Sequence, residues 1–373
     1  AITEVECLVS DIAGIPRGKI LPVHKFSQAA AGQGLRLPEY VFGQSVTGAF
    51  LDSAVLNEIG KDVILRPDPA TCRLVPWYTE PTAQIIHDAF DHDGSIVPFS
   101  PRAVLKRVLD VFEAAGLRPI VAPELEFFLV QQSADANSPL ATPSGRSGRA
   151  EKARQAYGID AVNEFDPLFE DIYDHCEVQK IDIDTLSHEA GAAQMEINFN
   201  HGEALELADQ TFLFKRTVRQ TSLDHNVHAT FMAKPMQEQP GSAMHLHVSV
   251  VDIESERNLF VNEDSSESDQ FYHALAGMQR YLVAAMPLMA PYVNSYRRQS
   301  NSEDSPTNLA WGMDNRTVGL RVPMGDAANR RIENRIPGAD ANPYLAMAAT
   351  LAALWLGLQE QRRPTRQRKD SGE

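Results

Sequence analysis

Two glutamates stand two residues apart inside an otherwise apolar run, Ile120-Val121-Ala122-Pro123-Glu124-Leu125-Glu126-Phe127-Phe128-Leu129-Val130. A run of this composition reads as a strand, and on a strand residues i and i+2 point to the same face. Glu124 and Glu126 therefore lie close enough to share a cation. The plainer alternative is an edge strand with a wet face. The apolar flanks argue against it, since glutamate is seldom buried without a partner.

The same device recurs along the chain. In Gln194-Met195-Glu196-Ile197-Asn198-Phe199-Asn200, Met195, Ile197 and Phe199 face one way and the polar residues the other. Glu189 lies seven residues before Glu196, an odd spacing that would separate them on one continuous strand, but the turn-like Ala190-Gly191-Ala192 can bring both to one place. In His245-Leu246-His247-Val248-Ser249-Val250, His245, His247 and Ser249 share a face, and Gly241-Ser242 just before it allows a ligand to approach the backbone. Arg316–Pro323 reads as a strand with Arg316 and Arg321 near its ends, and Arg331, Glu333 and Arg335 share a face of a further strand. Each segment alone fits an amphipathic surface strand. Together they supply five carboxylates and a histidine with arginines nearby. Such an oxygen-rich set suits Mg²⁺ or Mn²⁺ better than zinc, and metals beside arginines point to phosphoryl transfer from a nucleotide. With no GxxxxGK[ST] and no GxGxxG, the nucleotide is held neither by a P-loop nor by a Rossmann turn.

Charge narrows the partners. Lys plus Arg number 34 and Asp plus Glu 50 in 373 residues, a net charge of −16. That balance argues against nucleic acid or an anionic membrane surface as the main partner. The three cysteines, Cys7, Cys72 and Cys176, are odd in number and lack CxxC spacing, which fits a reducing compartment, the cytoplasm. No basic stretch leads into an apolar run at the N-terminus, so no signal peptide is expected there. Tyr344–Leu358 falls short of the roughly 20 residues a membrane span needs, and reads as a buried helix.

Residues 1–96 read as strand-rich, with few helical patterns. At Ser100-Pro101 the period changes to helical, with Ser100 as N-cap and Pro101 in the first turn. This sets domains at 1–97 and 98–373. Further helices are expected at 203–225, 268–290 and 343–360, and a mobile loop over Ser133–Arg154.

With these motifs in order, the chain resembles the glutamine synthetase family over nearly its whole length. The resemblance rests on Pro123–Phe128 (PELEFF), His188–Asn198 (HEAGAAQMEIN), Gly241–Ser249 (GSAMHLHVS), Asn294–Arg298 (NSYRR), Asn315–Pro323 (NRTVGLRVP) and Arg330–Leu345 (RRIENRIPGADANPYL). It implies an α+β fold: an N-terminal β-grasp domain, then a catalytic domain whose antiparallel sheet lines a funnel flanked by helices. It implies a homo-oligomeric ring, typically a dodecamer, with active sites between subunits. One metal would be held by Glu126, Glu189 and Glu196, and the other by Glu124, His245 and Glu333. L-glutamate would meet Gly241, Arg298, Arg316 and Arg335. ATP would meet Asp184, His247, Ser249, Arg321 and Arg331. The implied reaction passes through γ-glutamyl phosphate, with Asp304, Arg316 and Arg335 as catalytic groups. The family's chains also start earlier and run further, so the resemblance implies an incomplete C-terminal end.

The departures fall on the ammonia side. Where the family carries an FDGSS-like segment, this chain has Phe42-Gly43-Gln44-Ser45-Val46, with glycine in place of the acid. The flap glutamate appears as Asp304, beside Glu303; Ala328 replaces a lysine and Pro240 an asparagine. Retained metal ligands with an altered ammonia pocket resemble the γ-glutamylpolyamine and γ-glutamyl-amine synthetase branch, in which a primary amine or polyamine is the nucleophile. The alternatives are ammonia use with Glu39 or Asp52 as the acid, and a non-catalytic relative that kept the fold.

Overall fold

The computed structural model describes residues 1–32, 34–50, 60–133, 135, 137–300 and 305–370. Strands β1 (Glu4–Ser10), β2 (Pro16–Pro22), β3 (Leu35–Pro38), β4 (Asp62–Pro67), β5 (Arg73–Leu74) and β6 (Thr82–Phe90) form a six-stranded sheet ordered β2-β1-β6-β4-β3, with β5 on β6. β1 and β6 run parallel and the other pairs antiparallel. Helix α1 (Val23–Ala31) was not expected from the sequence. It lies between Pro22 and Gly32 and is only nine residues long; Val23, Phe26 and Ala29 are half-buried at helical spacing and the rest of it is exposed.

The large sheet is built around β7 (Leu117–Gln131). With β8 (Ile183–His188), β9 (Gln194–Phe199), β10 (Gly202–Glu203), β11 (Val227–Thr230), β12 (Met244–Asp252), β13 (Trp311–Met313), β14 (Leu320–Val322) and β15 (Ile332–Asn334) it is nine-stranded, ordered β13-β14-β15-β12-β7-β9-β8, with β10 and β11 also on β7. It is antiparallel except for the parallel β13–β14 pair. Residues 316–319 are a turn and not strand: the Asn315 side chain accepts from the Thr317 amide and hydroxyl, and Asp314 sits at φ +47°.

The helices are α2 (Pro101–Glu113), α3 (Ile159–Asn163), α4 (Asp166–Val178), α5 (Ala204–Asp224), α6 (Asp269–Tyr281), α7 (Met286–Met289), α8 (Val293–Ser300) and α9 (Pro343–Glu360). The single helix expected over 268–290 is broken into α6 and α7, since Pro287 lacks the N–H needed to continue from the preceding turn. Ser100 precedes α2 as expected, but its side chain makes no capping bond. No described helix is long and apolar enough to cross a membrane. The three cysteines are free thiols, two of them buried.

One face of the large sheet is core. Leu125, Phe127, Met195, Ile197, Leu246 and Val248 are buried there against α2, α5, α6 and α9. Each such side chain contributes about 1.5–3 kcal/mol on leaving water. That face can therefore carry the cost of charged neighbours on the other.

The two sheets are joined by polar contacts as well as packing. Asn342, at the start of α9, donates to the Asp11 carbonyl (2.8 Å) and the Ser10 hydroxyl (3.1 Å). Arg102 on α2 holds Asp209 of α5 in a two-pronged bond (2.9 and 2.8 Å), Asp88 of β6 (2.9 Å) and Asp68 (2.6 Å). The Tyr344 hydroxyl closes the group on Asp209 at 2.6 Å. The Arg102 guanidinium lies almost wholly out of solvent, so removing it strands several carboxylates. Arg102→Ala should cost about 3–5 kcal/mol of stability, read as a lower denaturant midpoint. An unchanged midpoint would show the network to be dispensable.

Candidate active site on the polar face of the large sheet

The register of four strands assembles the acidic residues. Glu126 of β7 lies opposite Glu196 of β9, and Glu124 opposite Asn198 on one side and His245 of β12 on the other. His247 lies opposite Glu333 of β15, which lies opposite Arg321 of β14. Because side chains alternate, all these positions share the face turned from the core. The ligand atoms of Glu124, Glu196 and His245 lie within 4.8 Å of one another, as do those of Glu124, His247 and Glu333.

Glu189 joins from a turn. Its amide donates to the Gln194 carbonyl (2.8 Å), folding residues 189–194 back on themselves and resolving the odd spacing noted in the sequence. Gly191 is needed there: a Cβ would stand 2.6 Å from the Phe128 ring and 2.7 Å from Gln194 Oε1. Gln194 ties the turn to the cluster, its amide nitrogen donating to Glu126 (3.3 Å) and to the Gly241 carbonyl (2.9 Å). Gln194 was visible in the sequence only as one polar member of the β9 alternation.

The two ends of the cluster differ electrostatically. Glu333 is wholly buried and accepts from Arg335 (2.6 Å) and Arg321 (2.7 Å). Burial works to raise its pKa, but His245 when protonated, and Arg335 permanently, bring it down to about 2. Glu124 is also held low: burial opposes this, and bonds to His245 (3.3 Å) and His247 (2.7 Å) prevail. At the other end, burial and the Glu189 charge push Glu126 up to about 8. Burial and the charges of Glu124, Glu126 and Glu189 push Glu196 up to about 10. Burial, then Arg335, lowers His245 to about 4, leaving a neutral imidazole with a lone pair to offer. Crowded carboxylates that retain protons for want of positive charge, beside a neutral histidine, fit divalent cations.

His247 is held from two sides. Arg331 Nε donates to its Nδ1 (3.1 Å), so the ring proton sits on Nε2 and is given to Glu124. It is thus a neighbour of the cation-type cluster as well as of the expected nucleotide region.

A cavity of about 830 Å³ opens beside the cluster, its walls including Glu124, Asp184, Asn198, His247, Ser249 and Arg331. Asp184 reaches it from β8, which carries a register shift between Ile183 and Leu186. Four of the five expected nucleotide residues line it. Arg321 does not: its guanidinium is taken by Glu333 and, at 2.6 Å, by Asp314.

The expected glutamate residues are less uniform. Gly241 packs so tightly that a Cβ would lie 2.4 Å from Arg298 Cγ. Arg298 is 2% exposed and donates to the carbonyls of Ile336 (2.8 Å) and Arg335 (3.1 Å), leaving Nε without a partner among the described residues. Arg335 is buried on Glu333. Arg316 lies exposed in the 315–319 turn, apart from the buried cluster, because that segment is not strand. Asp304, Glu303 and Asp52 lie outside the described residues. Glu39 is buried in a 3₁₀ turn (Glu39–Gly43), with Oε2 unpaired among the described residues.

Residues 98–371 match the family described as glutamine synthetase, catalytic domain. Gamma-glutamylputrescine synthetase PuuA of Escherichia coli K12 is 37% identical over 367 residues, 96% of this chain and 76% of that protein. Glutamate–isopropylamine ligase of a Pseudomonas species is 31% identical over 360 residues, 95% of this chain and 77% of that one. A solved GmaS/ADP complex has 27% identity and a TM-score of 0.86, covering 99% of this chain and 82% of that chain. With the catalytic-domain match running through most of its length and these relatives beside it, the chain belongs to the glutamine synthetase family, where it resembles the γ-glutamyl-amine synthetase branch.

Proposed function

We propose that the protein is a glutamate–amine ligase that joins the γ-carboxylate of L-glutamate to a primary amine or polyamine with ATP hydrolysis. The observation that carries this reading is the row of Glu196, Glu126, Glu124, His245 and Glu333 on one face of the large sheet, which meets the cavity at Glu124. Glu126, Glu189 and Glu196 would hold one Mg²⁺ or Mn²⁺, and Glu124, His245 and Glu333 another. When bound, these ions neutralise charge on the phosphoryl group in transfer. Arg331, on the cavity wall beside His247, supports the ATP phosphates, with Asp184 and Ser249 further along. Arg321 acts indirectly, by keeping Glu333 ionised. Arg298 braces the Arg335–Ile336 backbone beside Gly241, where glutamate is placed; Arg316 and Asp304 are assigned to glutamate binding and catalysis by the family resemblance alone.

In the first step a γ-carboxylate oxygen attacks the terminal phosphorus of ATP, the bond to the bridging oxygen breaks, and ADP leaves. In the second the amine nitrogen attacks the acyl carbon, phosphate departs, and the nitrogen gives up a proton. Gly43, where the family keeps an acid, leaves room for a substituent on that nitrogen. The small sheet with α1 is read as the β-grasp, residues 1–97 as its domain, and the whole as a cytoplasmic ring oligomer completing each site with a neighbour. Glu39 favours a second reading: its buried Oε2, without a partner among the described residues, is a candidate acid for ammonium.

Phosphate release with L-glutamate, ATP and a panel of amines separates the two. A polyamine or monoamine should exceed ammonia in kcat/KM; ammonia as much the best nucleophile would overturn the amine reading. Cation binding offers an independent check. With Glu126 and Glu196 pushed up to about 8 and about 10, binding of Mn²⁺ at pH 7 should release about one to two protons. Calorimetry in buffers of different ionisation enthalpy measures this, and Glu196→Gln should lower the count by about one.

A further inference from the structure

We propose that Glu151 is a positioning residue: its half-buried carboxylate fixes the turn that carries Glu189, and thereby sets the affinity of the cation Glu189 helps to hold. This rests on reading the acidic cluster as a cation site.

The turn has no regular structure of its own to hold it. Its amides are satisfied one by one by side chains: Ala190 donates to Glu189 Oε2 (3.1 Å), Gly191 to Gln194 Oε1 (2.9 Å), Ala192 to Gln239 Oε1 (3.0 Å) and Ala193 to Glu151 Oε2 (3.0 Å). Ala193 sits at φ +55°, a left-handed conformation that an L-residue keeps only when its surroundings hold it. Glu151 supplies that hold at the amide of Ala193 itself.

The same oxygen takes the other end of the turn. His188 is wholly buried and its Nε2 lies 3.1 Å from Glu151 Oε2, while its Nδ1 lies 2.7 Å from the Glu189 carbonyl. Carboxylate and carbonyl only accept, so both ring nitrogens donate. Glu151 thus grips Glu189 from the residue before it, through His188, and from four residues after it, at Ala193. Its remaining oxygen accepts from Gln155 at 3.2 Å. With its oxygens occupied by these donors, Glu151 is a brace for a ligand and not a ligand.

The brace comes from the segment the sequence marks as a mobile loop, and the structure shows why its end is ordered. Ser144 and Ala150 pair as a small bridge, and the Glu164 carboxylate accepts from the Ser147 amide at 3.0 Å. Thr142 donates to the Glu151 carbonyl at 2.6 Å, and the Tyr157 amide donates to the His188 carbonyl at 2.8 Å. The position of this segment is therefore communicated to Glu189 through one side chain.

The test is direct Mn²⁺ titration of the full chain, alongside thermal melts and kcat at rising Mn²⁺. Outer partners of metal ligands typically change affinity 10- to 100-fold, so Glu151→Ala should weaken Mn²⁺ by about that factor and recover near wild-type kcat at saturating Mn²⁺. Glu151→Asp keeps the charge but is one methylene short, and should weaken binding too; it carries the test if the alanine variant does not fold. Glu151→Gln, whose amide oxygen can still accept from Ala193, should stay near wild type. Unchanged Mn²⁺ affinity in the aspartate variant, or a kcat loss that saturating Mn²⁺ does not repair, overturns the proposal. Absence of Mn²⁺ binding by the wild-type chain would instead sink the cation reading beneath it.

Discussion

Like charges held at neighbouring strand positions are the constraint around which this protein is organised. Glu126 faces Glu196 directly across β7 and β9, with Glu124 one step along and Glu189 close by. Opposed like charges destabilise a sheet pair. The fold answers unevenly. Around Glu333 and Glu124 it places Arg335, Arg321, His245 and His247, so those acids stay ionised. Around Glu126 and Glu196 it provides mainly Arg298 at a distance and one backbone amide, and these acids keep their protons. One half of the site is neutralised by the protein; the other awaits external positive charge. The two proposed cation positions therefore differ in kind, since binding at one must expel protons and at the other need not.

The legible part of this site is the part with period two. Glu124 and Glu126, His245 and His247, and the β9 alternation all stand on regular strands, so residue spacing alone reports which side chains share a face. The roles expected of these residues come from the likeness of the motifs on these same strands to the family's. What spacing could not reveal depends on irregular backbone or distant partners. The turn at Asn315–Thr317 removes Arg316 from the strand where alternation placed it. Arg321 keeps its strand position, but its partner is Glu333 across the sheet and not the cavity. Arg298 is buried on carbonyls of a segment nearly forty residues away, and Glu151 meets the Glu189 turn across a similar distance.

The fold was readable on similar terms. The long helix α9 and the strand β7 follow from sustained apolar runs, and β12 from alternation. The short α1 repeats its apolar spacing only through Val23, Phe26 and Ala29, too few turns to stand out among the strands around it. The break between α6 and α7 was written in Pro287 but hidden by the apolar residues around it. The polar junction of Arg102 with Asp68, Asp88 and Asp209 has no local signature, because its members are scattered over three elements and the loop after β4.

The pairing of β7 with β12 bears on how this chain avoids misfolding. Leu125 and Leu246 point into the core while Glu124 and His245 point out of it. A slip of one residue between these strands would reverse that arrangement along their whole length, driving acids into hydrocarbon and leucines into water. The groups that burden the finished molecule with repulsion thus also penalise its nearest wrong pairing, so that a chain aligned well enough to bury its core has, by the same alignment, already assembled its chemistry.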